Sequence, residues 1–246
     1  MASFGAGDLK LLPGELHIWT ASFEQPGWFL QRCKEYLNEP EKKRAASYRF
    51  ARDRKAFIFS RSILRILLAA YSGQTPPELV FLKTEGGKPY IKPGQNKDKL
   101  SFNLSNSGNR VVYGIAYDRT IGIDIEYVRN PGDIKSMMEY ALSKRELFNL
   151  EKFAYSEENI FFRYWTHKEA LLKALGEGLL RPLKSIEFLL GECGNLRLCY
   201  IDNKAIDEKE WFIHEFTLEE KKYAGAVILK GAGCRVVHFD FNPRLF

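Results

Sequence analysis

The chain has 246 residues, of which 45% are hydrophobic and 28% are charged, and its net charge is +6. This composition is typical of a globular protein and excludes a disordered or fibrous one. No apolar run reaches the ~18 residues that a membrane span needs, so we expect no membrane partner. The N-terminus lacks the basic-then-apolar order of a secretion signal, and the expected location is cytoplasmic.

The apolar pattern predicts alternating helices and strands. In the first half we predict, in chain order, a strand at 15–22, helices at 28–37 and 40–71, and strands at 79–84, 100–104 and 111–117. In the second half we predict a strand at 121–127, helices at 133–141, 144–153 and 157–175, and strands at 185–190, 196–201, 211–217, 223–229 and 236–241. We expect a break near Arg49, an N-cap at Ser143, and helix ends at Gly73 and Gly176.

Two segments share one order of elements. In residues 64–82 a helix is followed by a glycine stop, a proline and a strand, and residues 170–189 repeat this order 106 positions later. The alternative is coincidence between two common helix–strand units. A duplication predicts an α/β (α+β) fold with two similar subdomains, 1–119 and 120–246, related by pseudo-twofold symmetry. A ligand site would then lie in the cleft between them.

Basic residues are concentrated in one region. Between Lys42 and Arg65 there are nine basic residues and a single acidic one, Asp53. Arg54, Arg61 and Arg65 share one helical face beside apolar neighbours, so this region is either a solvated surface or a binding surface for an anion. The four cysteines and four histidines show no zinc-binding spacing, and we interpret the thiols as buried or half-buried side chains.

Two acidic residues share one face of a predicted strand. Asp124 and Glu126 are two positions apart, so their side chains leave the strand on the same side. They repel each other unless a cation, a shared proton or solvent compensates. Hard oxygen ligands of this kind favour Mg²⁺. The alternative is a pair of solvated acids on an exposed strand.

A predicted helix carries a third acid. Trp165, Glu169 and Lys173 are spaced four apart and form one stripe. Glu169 could complete a metal site with the two strand acids, while Lys173 and Lys168 meet a phosphate. The alternatives are an ordinary surface pair for Glu169 and Lys173, and a core or cleft wall position for Trp165.

Two polar turns lie between predicted strands. Gly86-Gly87-Lys88-Pro89 is either a loop that lets the backbone approach a ligand or a simple hairpin turn. Residues 101–108 run from a strand into a turn rich in hydroxyls and amides. That turn either presents N–H groups to a phosphate or only caps the strand.

Taken in order, these motifs resemble the 4′-phosphopantetheinyl transferase superfamily. They are Gly87-Lys-Pro, Phe102-Asn-Leu-Ser-Asn-Ser-Gly, Gly122-Ile-Asp-Ile-Glu and Trp165-Thr-His-Lys-Glu-Ala-Leu-Leu-Lys. The chain is most similar to the two-halved surfactin-synthetase (Sfp-type) class, over roughly residues 10–230. The resemblance implies transfer of 4′-phosphopantetheine from coenzyme A to a serine of an apo acyl or peptidyl carrier protein. The products are the holo carrier and 3′,5′-ADP, as for a holo-[acyl-carrier-protein] synthase.

The resemblance also implies residue roles. Asp124, Glu126 and Glu169 match the Mg²⁺ ligands, and Glu169 or a water on the metal takes the proton of the serine. Asp124, Glu169 and Lys173 form the catalytic set, in which Lys173 meets the pyrophosphate and Lys168 counters the charge of the leaving group. The coenzyme A-binding residues implied are Arg44, Lys83, Gly86, Gly87, Lys88, Pro89, Asn103, Ser105, Asn106, Lys168 and Lys173.

One position departs from the family pattern. The family usually has histidine between the two serines, where this chain has Asn106. Asparagine can donate a hydrogen bond but carries no charge, so the loss could weaken coenzyme A binding by up to ~1–2 kcal/mol.

The expected partners are coenzyme A and a carrier protein, not nucleic acid, and a chain with two fused halves is expected to be a monomer. Residues 130–153 follow the predicted strand that carries Asp124 and Glu126, and this position suggests them as the docking surface for the carrier protein. Two alternatives stay open: a Mg²⁺-dependent nuclease or phosphohydrolase, and a non-catalytic nucleic-acid-binding module.

Overall fold

The computed structural model describes residues 9–97, 99–129, 132–153, 156–177 and 181–246. The first half contains β1 (Glu15–Ser22), α1 (Gly27–Arg32), α2 (Glu39–Ser47), α3 (Ala51–Ser72), β2 (Phe81–Lys83), β3 (Pro89–Ile91), β4 (Leu100–Ser107) and β5 (Arg110–Tyr117). The second half contains β6 (Ile121–Tyr127), α4 (Ile134–Ala141), α5 (Lys144–Leu150), α6 (Glu157–Leu175), β7 (Ile186–Leu190), β8 (Leu196–Ile201), β9 (Lys204–Ala205), β10 (Trp211–Leu218), β11 (Tyr223–Lys230) and β12 (Arg235–Asp240). No helix in this described part is long and apolar enough to cross a membrane.

The two halves repeat one topology. In the first half β1 pairs with β5 and β5 with β4, and in the second β6 pairs with β11 and β11 with β10, all antiparallel. A long helix, α3 or α6, follows the first strand of each set. Both helices end at a glycine in the left-handed conformation, Gly73 and Gly176. The predicted fold of two similar α/β halves is confirmed.

The last strand returns to the first sheet. Strand β12 pairs with β1 in parallel, from Glu15 opposite Arg235 to Thr20 opposite Asp240. The sheet order is therefore β12-β1-β5-β4. A boundary at residues 119–120 stays a prediction, and hydrogen bonds of the C-terminal strand cross it.

The core consists of layers set by the two-residue period of the strands. Alternate residues of β1 face opposite ways: Trp19 packs towards α3, whereas Leu16 and Ile18 pack towards the second sheet. Strand β11 behaves likewise, with Val227 between the sheets and Ala226 towards α6. The resulting order is α3, first sheet, second sheet, α6.

Most predicted elements are present, with differences at their ends. The break near Arg49 is confirmed, since α2 ends at Ser47 and α3 begins at Ala51. The helix predicted at 28–37 is α1 followed by a 3₁₀ turn, and α5 ends at Leu150 rather than 153. The strand predicted at 79–84 is shorter, since β2 spans only Phe81–Lys83, and the short strands β3 and β9 were not predicted.

The basic face of α3 is partly structural. Arg65 is fully buried and donates to the carbonyl oxygens of Pro76 and Leu79 and to the Glu41 carboxylate. Arg61 Nε lies 3.4 Å from Oε1 of the same carboxylate. These two arginines hold α3 against its neighbours, so the basic residues do not form one open surface for an anion.

Candidate active site

Gly122 lets α6 lie directly on β6. A methyl group at this position would be 1.9 Å from the Ala170 carbonyl oxygen and 2.4 Å from the Ala174 nitrogen. Asp124 and Glu126 leave β6 on the same side as Gly122, because strand side chains alternate. The glycine therefore brings the two strand acids against the helix that carries Glu169 and Lys173.

Asp124 is the centre of the site. Its side chain is buried, and Oδ1 accepts hydrogen bonds from Ser105 Oγ at 2.7 Å and from Lys173 Nζ at 2.6 Å. The Lys173 side chain is 28% exposed, and its ammonium also donates to Ser105 Oγ at 2.8 Å. Asp124 Oδ2 is buried and has no hydrogen-bond partner among the described residues.

Glu126 lies at the outer end of the site and is half-buried. Its Oε2 accepts a hydrogen bond from Ser107 Oγ at 2.6 Å. Burial raises the pKa of Glu126, and the charge of Asp124 raises it further, although Ser107 and the Trp165 indole favour the carboxylate. Trp165 packs against the hydrophobic core of the second half and also contacts Glu126, so it combines the two places predicted for it, core and cleft wall.

Glu169 faces both strand acids from α6. Burial raises the pKa of Glu169, and the negative charges of Asp124 and Glu126 add to this, while Lys173 lowers it. Its Oε1 is buried and has no hydrogen-bond partner among the described residues. Three carboxylates therefore repel one another in a partly dry site with a single nearby ammonium.

The donor set fits a hard cation. As they stand, the acidic, histidine and cysteine side chains of the described residues include no group of three arranged to hold a metal ion. The Lys173 ammonium lies on Asp124 and partly neutralises it. Two buried carboxylate oxygens without partners, on Asp124 and Glu169, are nevertheless what a Mg²⁺ ion would satisfy.

Alternate side chains of β4 join the two halves through β6. Asn103 Oδ1 accepts a hydrogen bond from the Ile123 backbone N–H at 3.0 Å, and Ser105 binds Asp124. Ser107 Oγ accepts from the Tyr127 N–H at 3.0 Å while donating to Glu126. Ser107 was not among the predicted site residues. Its position two residues after Ser105 indicates that both side chains leave the strand on the same side, and this spacing could have identified it.

Asn106 lies on the other face of β4. It is exposed, whereas Ser105 beside it is buried, and its backbone pairs with Val111 of β5. The structure therefore does not bring Asn106 to the carboxylates. A contact with coenzyme A at this exposed position stays a prediction.

The glycine turn is the turn of the β2–β3 hairpin, and it packs against the end of α6. A methyl group at Gly86 would be 1.7 Å from the Gly176 carbonyl oxygen. Lys88 Nζ donates to the carbonyl oxygens of Ile121 at 2.6 Å and Ala174 at 3.2 Å. Burial lowers the pKa of Lys88 to about 8. The lysine thus ties the hairpin to both β6 and α6.

A cavity with a volume of about 880 Å³ lies beside this hairpin. Its lining includes Gly86, Lys88 and Pro89 of the hairpin, Ile121 of β6 and Gly176 at the end of α6. The three carboxylates do not line it. Ile121 is three residues before Asp124, about 10 Å along the strand, so the cavity and the acidic cluster are neighbours on β6.

Lys168 lies away from the acidic cluster, in the interior of the second half. Its side chain is 0% exposed, and Nζ donates to Glu146 Oε2 at 2.7 Å. The same ammonium donates to the backbone carbonyl oxygens of Ala141, Leu183 and Ile186. With every N–H used, it cannot reach a ligand in the cleft. The structure therefore contradicts the predicted phosphate contact of Lys168, which instead holds α4, α5 and β7 against α6.

Two predicted basic contacts lie on the surface of the first half. Arg44 is exposed on α2, with its guanidinium 5.1 Å from the centre of the Phe57 ring. Lys83 and Gly87 are exposed on the β2–β3 hairpin. Their roles towards coenzyme A stay predictions.

Comparison with known proteins identifies the family. The family model of the 4′-phosphopantetheinyl transferase superfamily matches residues 120–228, and that of the N-terminal part of 4′-phosphopantetheinyl transferase matches residues 18–116. The chain is 38% identical over 184 residues to the 4′-phosphopantetheinyl transferase HetI of a Nostoc species, covering 74% of this chain and 77% of that protein.

More distant matches include a sequence relative over most of the chain and a solved structure over about half of it. The human L-aminoadipate-semialdehyde dehydrogenase-phosphopantetheinyl transferase is 28% identical over 215 residues, covering 81% of this chain and 69% of that protein. A crystal structure of the Bacillus anthracis holo-(acyl-carrier-protein) synthase in complex with CoA (3′,5′-ADP) is 23% identical, with a TM-score of 0.36, covering 47% of this chain and 98% of that chain. The sequence relatives do not favour the nuclease or nucleic-acid-binding alternatives. The chain belongs to the 4′-phosphopantetheinyl transferase superfamily.

Proposed function

We propose that this chain transfers 4′-phosphopantetheine from coenzyme A to a serine of an apo acyl or peptidyl carrier protein, and that the acidic cluster is its catalytic site. The observation that carries the proposal is the convergence of three carboxylates and Lys173 where β4, β6 and α6 meet. Such a set of charges suits a transfer in which a pyrophosphate is held and a hydroxyl loses its proton.

The proposed metal is Mg²⁺, with Asp124, Glu126 and Glu169 as the residues that would hold it. Bound there, Mg²⁺ would act as a Lewis acid on the phosphate oxygens. The orphaned oxygens of Asp124 and Glu169 support this choice.

In the proposed reaction the carrier serine Oγ forms a bond to the β-phosphorus of coenzyme A. The bond from that phosphorus to the bridging oxygen breaks, and 3′,5′-ADP leaves. Glu169 accepts the serine proton, a role that suits a carboxylate whose pKa burial has raised. Lys173, whose side chain is partly exposed at the acidic cluster, neutralises the pyrophosphate.

The cavity beside the hairpin is the proposed place for the nucleotide end of coenzyme A. Gly86, Lys88 and Pro89 line it, and it adjoins the acidic cluster along β6. The Lys88 ammonium is held by two carbonyl oxygens. We therefore propose that the backbone of the hairpin, and not the Lys88 side chain alone, contacts the nucleotide end of coenzyme A.

The proposed carrier surface is formed by α4 and α5, within the segment 130–153 predicted from the sequence. Asn130 lies outside the described residues. Tyr140 and Phe148 are 70% and 63% exposed, and Lys135 and Lys144 are exposed on the same two helices. Apolar anchors with basic neighbours suit an acidic carrier. A monomeric state and a cytoplasmic location belong to the same proposal.

The test is mass spectrometry of several apo carrier proteins incubated with the chain, coenzyme A and Mg²⁺. We expect the serine of at least one carrier to gain the mass of one phosphopantetheine group, and no gain without Mg²⁺. Release of 3′,5′-ADP without a modified carrier would indicate a phosphohydrolase instead. Absence of any modified carrier across the panel would contradict the proposal.

A further inference from the structure

Two histidine side chains meet at the solvent-exposed edge between the sheets, on strands other than those that carry the carboxylates. His214 lies on β10 and His238 on β12, strands of different sheets. Their Nε2 atoms are 3.3 Å apart. The Phe216 ring packs beside both, with its centre 6.5 Å from that of His214 and 6.0 Å from that of His238. Each sheet thus contributes one imidazole nitrogen to a direct contact.

The separation of these nitrogens fits a shared metal ion. Zinc–nitrogen bonds of 2.0–2.1 Å at a tetrahedral angle place two ligating nitrogens about 3.3–3.4 Å apart. The alternative at this distance is a hydrogen bond from one imidazole N–H to the other ring nitrogen, and such a pair would bind no metal ion. Imidazole ligands suit Zn²⁺, Ni²⁺ and Cu²⁺, whereas Mg²⁺ prefers oxygen.

The surroundings of the pair suit neutral imidazoles, the form that ligates a metal ion. Burial lowers the pKa of both histidines, while the negative charge of Asp240, two residues beyond His238 on the same side of β12, opposes this lowering at His238. The pair is also open to solvent, so water can complete the coordination of an ion.

We propose that His214 and His238 form a binding site for a divalent transition metal ion, with Zn²⁺ as the ion to test. Because β10 belongs to the second sheet and β12 pairs with β1 of the first, the bound ion would join the two sheets at their edge. An ion that binds only the folded chain raises its thermal stability. This site is separate from the catalytic proposal and stands or falls without it.

The test is calorimetric titration of the untagged, metal-free chain with ZnCl₂ in the presence of excess Mg²⁺, alongside thermal unfolding with and without Zn²⁺. We expect one Zn²⁺ per chain and a higher Tm. Loss of an outer-shell partner costs 10–100-fold in affinity, so H214Q or H238Q should weaken binding by at least about tenfold and abolish the Tm increase. The matched controls C193S and C234S remove accessible thiols and should leave binding unchanged.

A second measurement does not depend on any variant. With Cu²⁺ in place of Zn²⁺, the electron paramagnetic resonance spectrum of the wild-type chain should show coupling to two imidazole nitrogens. The proposal is overturned if the wild-type chain binds no Zn²⁺, if the double histidine variant binds it unchanged, or if Cu²⁺ shows no nitrogen coupling. Phosphopantetheine transfer with Mg²⁺ should be the same in the histidine variants and the wild type.

Discussion

Asp124 is the residue through which strand, helix and neighbouring sheet meet, since it binds both Ser105 and Lys173. Replacing it by asparagine keeps the shape but removes the charge that a metal ion and Lys173 need. We expect Asp124→Asn to lower kcat/KM for transfer by roughly 100-fold or more, because even outer-shell partners of a ligand contribute 10–100-fold. Steady-state assays with coenzyme A and a carrier measure this.

The matched control is Asp207→Asn, at an exposed acid whose side chain caps a short turn, a role that asparagine can also fill. Its rate should equal that of the wild type. A rate for Asp124→Asn within about tenfold of the wild type would contradict the assignment of Asp124 as a metal ligand.

Asn106 stands where the resemblance to the family leads us to expect a histidine. Since the side chain is exposed, a histidine fits there without repacking. We expect Asn106→His to lower the KM for coenzyme A by up to about tenfold, through a charge-assisted contact with a phosphate. Histidine is charged below its pKa of about 6.5, so the gain should be larger at pH 6 than at pH 8.

The comparison is Asn106→Gln, which adds length but no charge. Its KM should match the wild type at both pH values. Equal KM values for the histidine and glutamine variants at pH 6 would show that position 106 does not contact a phosphate.

At the scale of the helix, Lys168 and Lys173 have opposite roles on α6. Lys168 is buried with Glu146, so Lys168→Met leaves a buried carboxylate and three carbonyl oxygens without their donor. We expect it to lower the free energy of unfolding by about 3–5 kcal/mol. The KM for coenzyme A of the folded variant should not change.

Lys173→Met is the counterpart, since this lysine is partly exposed and lies at the acidic cluster. It should lower stability less than Lys168→Met does, because Ser105 still donates to Asp124, and it should lower kcat by roughly 100-fold. Urea denaturation and transfer assays on both variants separate the two roles. If Lys168→Met raised the KM for coenzyme A without loss of stability, this result would contradict the structural role of Lys168 and support the phosphate contact that the resemblance implies.

The contact between β6 and α6 depends on Gly122. In Gly122→Ala the added methyl group would overlap the Ala170 carbonyl oxygen, so the helix must move away from the strand. We expect a loss of about 1–3 kcal/mol in unfolding free energy and a lower kcat, because Glu169 moves with the helix. Gly27→Ala, where the methyl group meets open space, is the control and should change neither quantity.

Elements were predictable from the sequence where a pattern repeats over several residues. Asp124 and Glu126 are two residues apart on β6, and the stripe of α6 has a spacing of four. These spacings match the strand and helix periods, so the face on which each side chain lies could be predicted. Lys168 could not be placed, because its partners lie on α4, α5 and β7, and only packing brings these together. The pairing of β12 with β1 also has no local signal, since it joins residues that are far apart in sequence.

At the scale of the whole molecule, the layers and the returning strand make the halves interdependent. Strand β12 covers one edge of β1, and β4 binds β6 through alternate side chains. Apolar residues of both sheets, including Ile18, Ile123 and Val227, are buried against each other in one cluster. Either half alone would expose this apolar face to water.

We therefore expect the full chain to unfold in urea as one cooperative transition, with coincident curves from circular dichroism and tryptophan fluorescence. The separate fragments 1–119 and 120–246 should show poorly dispersed amide spectra and no cooperative transition. Fragment 1–119 carrying residues 235–246 through a flexible linker regains β12 but still exposes the inter-sheet face, so it should recover structure only when fragment 120–234 is added. A sharp, independent transition in fragment 1–119 would show that the first half folds alone and that the duplication retained two autonomous domains.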